Sequence, residues 1–132
     1  MTRTLVLVAA LGIAIFCPAV ALSHHSNVAY EVTKVITITG VVKDFEWVNP
    51  HTWLHVVVDD GKGGKVEWAC EGRAPGVLLR AGWSRSILKA GETVTVDMSP
   101  AKDGSKVSII ARVTKADGKI LSNQPVFDDR GN

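Results

Sequence analysis

The apolar positions of this 132-residue chain follow two regimes, one continuous run near the start and then short alternating runs. Residues 5–16 are apolar except for Gly12, with Arg3 ahead of them and Pro18, Ala19 and Ala21 behind. From Thr33 onward apolar and polar residues alternate with period two between turn signals, the pattern of half-buried strands. The first such run, 35–47, puts Ile36 and Ile38 on one face and then shifts to Val41, Phe45 and Trp47. Gly40 sits at the change of parity, which predicts a bulge or bend there. Asn49-Pro50 ends the run, because proline brings no ladder donor. In the second run, 51–59, Leu54, Val56 and Val58 share one face, while His51, Trp53 and His55 share the other. A glycine-rich hairpin turn follows. The third run, 65–71, turns Val66, Trp68 and Cys70 inward and Glu67 and Glu71 outward.

One helix is predicted, about two turns long. Pro75 suits its first position, Val77, Leu78 and Leu79 supply apolar surface, and Gly82 supplies the stop. The fourth run, 92–98, points Val94, Val96 and Met98 inward, and the fifth, 106–114, points Val107, Ile109, Ala111 and Val113 inward. Asp103-Gly104 and Asp117-Gly118 read as tight turns, with a brief pairing segment at 119–121. Three strands, a short helix and two strands is the order of the small five-stranded oligonucleotide/oligosaccharide-binding (OB) barrel, a mainly β fold. A long first strand that bends suits that barrel, since one strand must serve both sheets. The alternative is a small β-sandwich with an incidental helix.

The start of the chain has the three parts of an export signal. Its apolar run is about a dozen residues, short of the roughly 20 needed to span a bilayer, so no stable span is expected after cleavage. Cleavage after Ala21 is the better match to the small-x-small rule, with cleavage after Ser23 as the alternative, and the expected compartment is the periplasm. The expected organisation is a signal peptide at 1–23, one barrel domain at 24–122, and a polar, fraying tail at 123–132. Of 15 basic and 13 acidic residues only Arg3 lies in the leader, so cleavage lowers the net charge from +2 to +1. No concentrated basic face marks a nucleic-acid binder. Cys17 is discarded with the signal, leaving Cys70 without an internal disulfide partner. Alternation makes it a core residue, with pairing between chains or metal binding as the alternatives.

His24-His25-Ser26, Gly40-x-Val42, and Phe45-x-Trp47-x-Asn49-Pro50-His51 form a recognisable set. Trp68-x-x-Glu71, Leu79-x-x-Gly82-Trp83, Gly91-Glu92-x-Val94-x-Val96 and Pro100-Ala101-x-Asp103-Gly104 extend it over nearly all of the mature chain. Together they resemble a family of small exported bacterial proteins without an established activity. The resemblance implies compartment and domain extent and adds no chemistry. Architecturally the chain also looks like other periplasmic proteins built on a single such barrel.

Two constellations carry candidate chemistry. The first is a binding rim at 47–55 formed by Trp47, Asn49, His51, Trp53 and His55, because the loop joining the first two strands contributes ligand contacts in these barrels. Trp53 would be its stacking platform, and a small ligand or a periplasmic protein its partner. The second is a Cu(II) or Ni(II) site at His24 and His25 with His51. Cleavage after Ala21 makes His24 the third residue, whose imidazole, two amides and the free amine can enclose the ion in a plane of nitrogens. Cleavage after Ser23 instead lets the amine and imidazole of His24 chelate together, with His51 or His55 completing a T-shaped copper site. His51 and His55 stand roughly 13 Å apart at about 3.3 Å per strand residue, too far to share one ion. Glu46, Glu67 and Glu71 read as solvated acidic residues that no spacing forces together. No Ser-His-acid set or nucleophilic-cysteine signature is present, and Gly61 to Gly64 lacks the helix that a phosphate loop needs. The expected role is therefore a non-enzymatic binding or accessory module.

Overall fold

A computed structural model describes residues 29–124. The predicted elements form in the predicted order: β1 (Ile36–Glu46), β2 (Trp53–Asp59), β3 (Lys65–Glu71), α1 (Pro75–Arg80), β4 (Thr93–Pro100), β5 (Val107–Lys115) and β6 (Ile120–Ser122). Antiparallel neighbours run β3-β2-β1-β4-β5-β6, and a parallel β3–β5 pairing closes the sheet on itself. The closed five-stranded barrel with its helix between β3 and β4 is the OB-like architecture, with β6 as a short addition to β5.

Closure is built into β1. Its first half, Ile36 to Val41, pairs with β4, and its second half, Val41 to Glu46, pairs with β2. The parity change expected at Gly40 falls instead at Lys43. Ile36, Ile38, Gly40 and Val42 keep one parity, Val42 is buried, and Val41 is exposed. The register then slips between Val42 and Asp44, so Lys43 is the extra residue of a bulge that brings Phe45 inward. Gly40 serves a different purpose. A Cβ there would lie 2.4 Å from the Val57 carbonyl oxygen and 2.8 Å from Val56 Cγ1, so only glycine lets β2 cross this closely.

β5 repeats the device. Ser108 and Ile110 face the core, Ala111 is the extra residue opposite the Asp97–Met98 step, and Val113 resumes the inward set. The expected inward positions Ile109 and Ala111 are thus corrected: Ile109 is half-buried and Ala111 exposed. A bulge adds local twist, and a small barrel needs twist at its corners. Simple alternation misreads every residue on one side of it.

The core joins Val42, Leu54, Val56, Trp68, Cys70, Val94, Val96, Met98 and Val113 to Leu78 and Trp83 from the helical connection. Helix α1 begins at Pro75 and ends in a Schellman turn, with Gly82 N–H donating to the Leu79 carbonyl at 3.1 Å and Trp83 N–H to the Leu78 carbonyl at 2.9 Å. Gly82 takes φ of +85°, which that turn requires. The turn delivers Trp83 into the barrel end, where its indole N–H donates to the Ser122 carbonyl at 2.7 Å. No helix among the described residues is long and apolar enough to cross a membrane.

Candidate functional site

Glu71 closes β3, where outward alternation predicts a solvated carboxylate, yet it is only 6 % exposed. The ladders place Trp53 of β2 on one side of it and Ile109 of β5 on the other. Parallel closure between β3 and β5 therefore brings this position inside the molecule, which alternation along one strand cannot foresee. Burying a carboxylate demands partners. One Glu71 oxygen accepts the Tyr30 hydroxyl and the other faces Nδ1 of His51.

Tyr30 reaches Glu71 because its backbone lies along the end of β4, bridged to Ala101 and followed by Glu31 N–H donating to the Pro100 carbonyl at 2.9 Å. Burial, reinforced by the hydrogen bond to Glu71, raises the Tyr30 hydroxyl above its usual range. It therefore stays a donor at neutral pH. His51 stands in the corner between β1 and β2, two residues ahead of the β2 start and just after the cis Asn49–Pro50 peptide.

Backbone bonds hold this corner against the exit of β3. Fully buried Thr52 donates its hydroxyl to the Arg73 carbonyl at 3.0 Å, and its own carbonyl accepts Gly72 N–H at 2.8 Å. Gly72 permits the approach, since a Cβ there would lie 2.3 Å from Thr52 Oγ1. Asn123 completes the clamp. Its side chain accepts Arg73 N–H at 3.0 Å and donates to the Ile110 carbonyl at 2.7 Å, while its N–H donates to the Ala111 carbonyl at 3.1 Å. Asn123 thereby ties the bulged part of β5 to the exit of β3. At 2 % exposure, Asn123 belongs to the barrel and not to a fraying tail.

A cavity of about 650 Å³ opens beside these groups. His51, Glu71, Arg73 and Asn123 supply its polar wall, and Val77 and Ile109 are among its apolar lining. Arg73 is exposed, and its guanidinium donates to Gln124 Oε1 at 3.1 Å. Glu71 fixes the Nδ1 end of His51, leaving Nε2 as the nitrogen able to accept a proton, a hydrogen bond or a metal ion.

Of the five expected rim residues only His51 lines the cavity. Trp47 packs edge-on against Phe45 with ring centroids 5.7 Å apart and rests on the core. Asn49 is exposed, and Trp53 is half-buried between Glu46 and Glu71 in the cross-strand row. His55 lies on the outer face, with Nδ1 3.0 Å from Glu67 and Nε2 2.9 Å from Glu46. Glu67 also takes Lys43 Nζ, and that bond, helped by His55, lowers its pKa. The two carboxylates that spacing alone left apart are thus joined through one imidazole.

His24 and His25, the other proposed metal ligands, lie outside the described residues, as do both proposed cleavage points. Among the described residues no three His, Cys, Asp or Glu side chains gather as a metal site. Cys70 faces the core, its thiol donating to Met98 Sδ at 3.6 Å and its pKa raised to about 11 by burial. Sequence reasoning missed Tyr30, Arg73 and Asn123. Tyr30 left one usable signal, as the single tyrosine of the chain and a close neighbour of the histidine pair. Asn123 left none.

Fold and site together define a small closed OB-like barrel with a buried carboxylate and an oriented imidazole at the wall of an end cavity. The chain belongs to a family of unknown function (DUF6152), which matches residues 13–110. The match spans the barrel from before β1 into β5 and stops short of Asn123. No curated protein and no solved structure matches the chain.

Proposed function

We propose that this is a non-enzymatic, exported binding module of the periplasm, and that its ligand is a small organic acid with an apolar portion, held in the end cavity. The carrying observation is the lining of that 650 Å³ cavity, where Arg73 and His51 stand with Val77 and Ile109. Ligand pockets of roughly 300–1,000 Å³ with apolar lining and a few fixed polar groups are the usual form of small-molecule sites. A guanidinium presents a planar fork of donors that matches a carboxylate. The potential nucleophiles near the barrel axis are committed elsewhere: Cys70 is held protonated in the core, and the Ser108 hydroxyl donates to Met98 Sδ at 2.8 Å. The signal-like leader supports export, and mass spectrometry of the exported protein fixes its first residue.

Titration with the alkanoate series from acetate to octanoate, followed by backbone NMR, tests the ligand class. The expected result is saturable shifts at Arg73 and Ile109, with affinity rising about fourfold per added methylene until the cavity is full. Arg73→Ala removes the preference for alkanoates over the matching alcohols, and Ile109→Trp, which fills the cavity, removes binding. Shifts that fail to saturate at millimolar alkanoate, or that are equal for alcohols, overturn the reading.

A further inference from the structure

The polar wall of the end cavity offers a bound molecule few uncommitted groups, and each has a definite hydrogen-bonding sense. Glu71 has both oxygens taken, one by the Tyr30 hydroxyl and the other by His51. Asn123 accepts Arg73 N–H through its side-chain oxygen and donates to the Ile110 carbonyl. The Ser99 hydroxyl can donate or accept and so selects nothing. Arg73 gives Nη1 to Gln124 and keeps the rest of its fork, all of it donors. His51 is left as the group that decides what else the ligand must carry.

Glu71 sets the sense of His51. An ionised carboxylate has no proton to give, and it would repel an Nδ1 lone pair set against its oxygen, so Nδ1 of His51 carries the proton. In the neutral ring the other nitrogen, Nε2, is then an acceptor. Among the described residues no second carboxylate holds it, in contrast to His55, whose two nitrogens lie on Glu67 and Glu46. The His51 side chain lines the cavity and is 38 % exposed, so a ligand can reach it.

We infer that the ligand is a hydroxyalkanoic acid, with its carboxylate on Arg73 and its hydroxyl donating to Nε2 of His51. The inference rests on the organic-acid reading and narrows it. Val77 and Ile109 receive the alkyl chain. An acid without a donor would leave the Nε2 acceptor unmatched, whereas a hydroxyl meets one acceptor with one donor. An ammonium group fits less well. It brings three donors to a single acceptor, and the carboxylate of this wall, Glu71, is already filled.

The test compares hexanoate with its 2-, 3- and 4-hydroxy derivatives, the matching methyl ethers and the matching amino acids. It uses the unaltered protein at about pH 8.5, well above the ordinary imidazole range. At least one hydroxy isomer is expected to bind about fivefold more tightly than hexanoate, the gain of one hydrogen bond, and its methyl ether to lose that gain. Ring-nitrogen NMR should show the His51 proton on Nδ1, and the Nε2 signal should shift as the hydroxy acid is added. His51→Phe keeps a ring at the wall without the acceptor, and in it hexanoate and the hydroxy acid should bind alike; circular dichroism reports whether it keeps its fold. Four results overturn the inference and leave the organic-acid reading standing: saturable hexanoate binding with no hydroxy isomer favoured, an ether as good as its alcohol, an amino acid favoured over the hydroxy acid, or the His51 proton on Nε2. If neither hexanoate nor any hydroxy isomer saturates, the organic-acid reading falls and this inference with it.

Discussion

His51 and His55 sit four residues apart, and each is hydrogen-bonded to glutamate. The resemblance ends there. His51 meets one buried carboxylate at a cavity wall and keeps a nitrogen for other work. His55 lies on the outer face between two solvated carboxylates, with both nitrogens engaged. With a carboxylate at each ring nitrogen, His55 has neither nitrogen free for a ligand. The difference comes from the carboxylates. Glu71 is enclosed because β5 closes against β3 at that position, whereas Glu46 and Glu67 belong to the solvent side of the β1–β2–β3 surface.

The comparison breaks first at Glu71. Glu71→Ala strands the buried Tyr30 hydroxyl and removes the partner of His51 Nδ1, and urea unfolding is expected to show a loss of about 3 kcal/mol. A loss under about 1 kcal/mol would mean the buried network is no stronger than a surface pair.

Alkaline unfolding comes next. Burial raises the Cys70 thiol from 9.0 to about 11, so the folded state retains a proton that the unfolded state releases. Stability from this group is full below pH 9.0 and is lost as pH rises toward 11, by roughly 2 kcal/mol. Tyr30 adds to the loss in the same direction at still higher pH. Denaturant midpoints measured across that range should fall, and Cys70→Ala should retain only the tyrosine share. The outer face works on the acid side. Glu67 is lowered by Lys43 and His55, and Asp97 by Thr37 and then Arg112. Their contributions are present above the ordinary carboxylate range and fade as pH falls through the depressed values.

Tyr30→Phe sharpens the contrast within the buried network. It removes one hydrogen bond to a charged acceptor, an expected cost of about 1.5 kcal/mol by urea unfolding. His55→Ala should have the smallest effect, below about 1 kcal/mol and shrinking in high salt, since exposed ion pairs are weak and screened. A salt-insensitive loss as large as that of Glu71→Ala would erase the distinction between the two histidines.

Periodicity alone carried the element order, the helix between Pro75 and Gly82, the inward sets of β2, β3 and β4, and the burial of Cys70. Each depends on residues close together in sequence, where a two-residue or 3.6-residue repeat reports directly on one face. It failed at Lys43 and Ala111, because a bulge inserts one residue and inverts parity for a reason that lies in barrel curvature. It also failed at Asn123, whose three hydrogen bonds reach β5 and the exit of β3 and leave no local pattern.

The candidate site divides along the same line. His51 was legible as a candidate from its place after Asn49-Pro50 at the start of β2. That Glu71 is buried, that Tyr30 reaches it, and that Trp47, Trp53 and His55 leave the cavity to His51 were decided only by the closed barrel. Strand alternation says which side of a ribbon a residue occupies; closing the ribbon determines whether that side meets water or another strand.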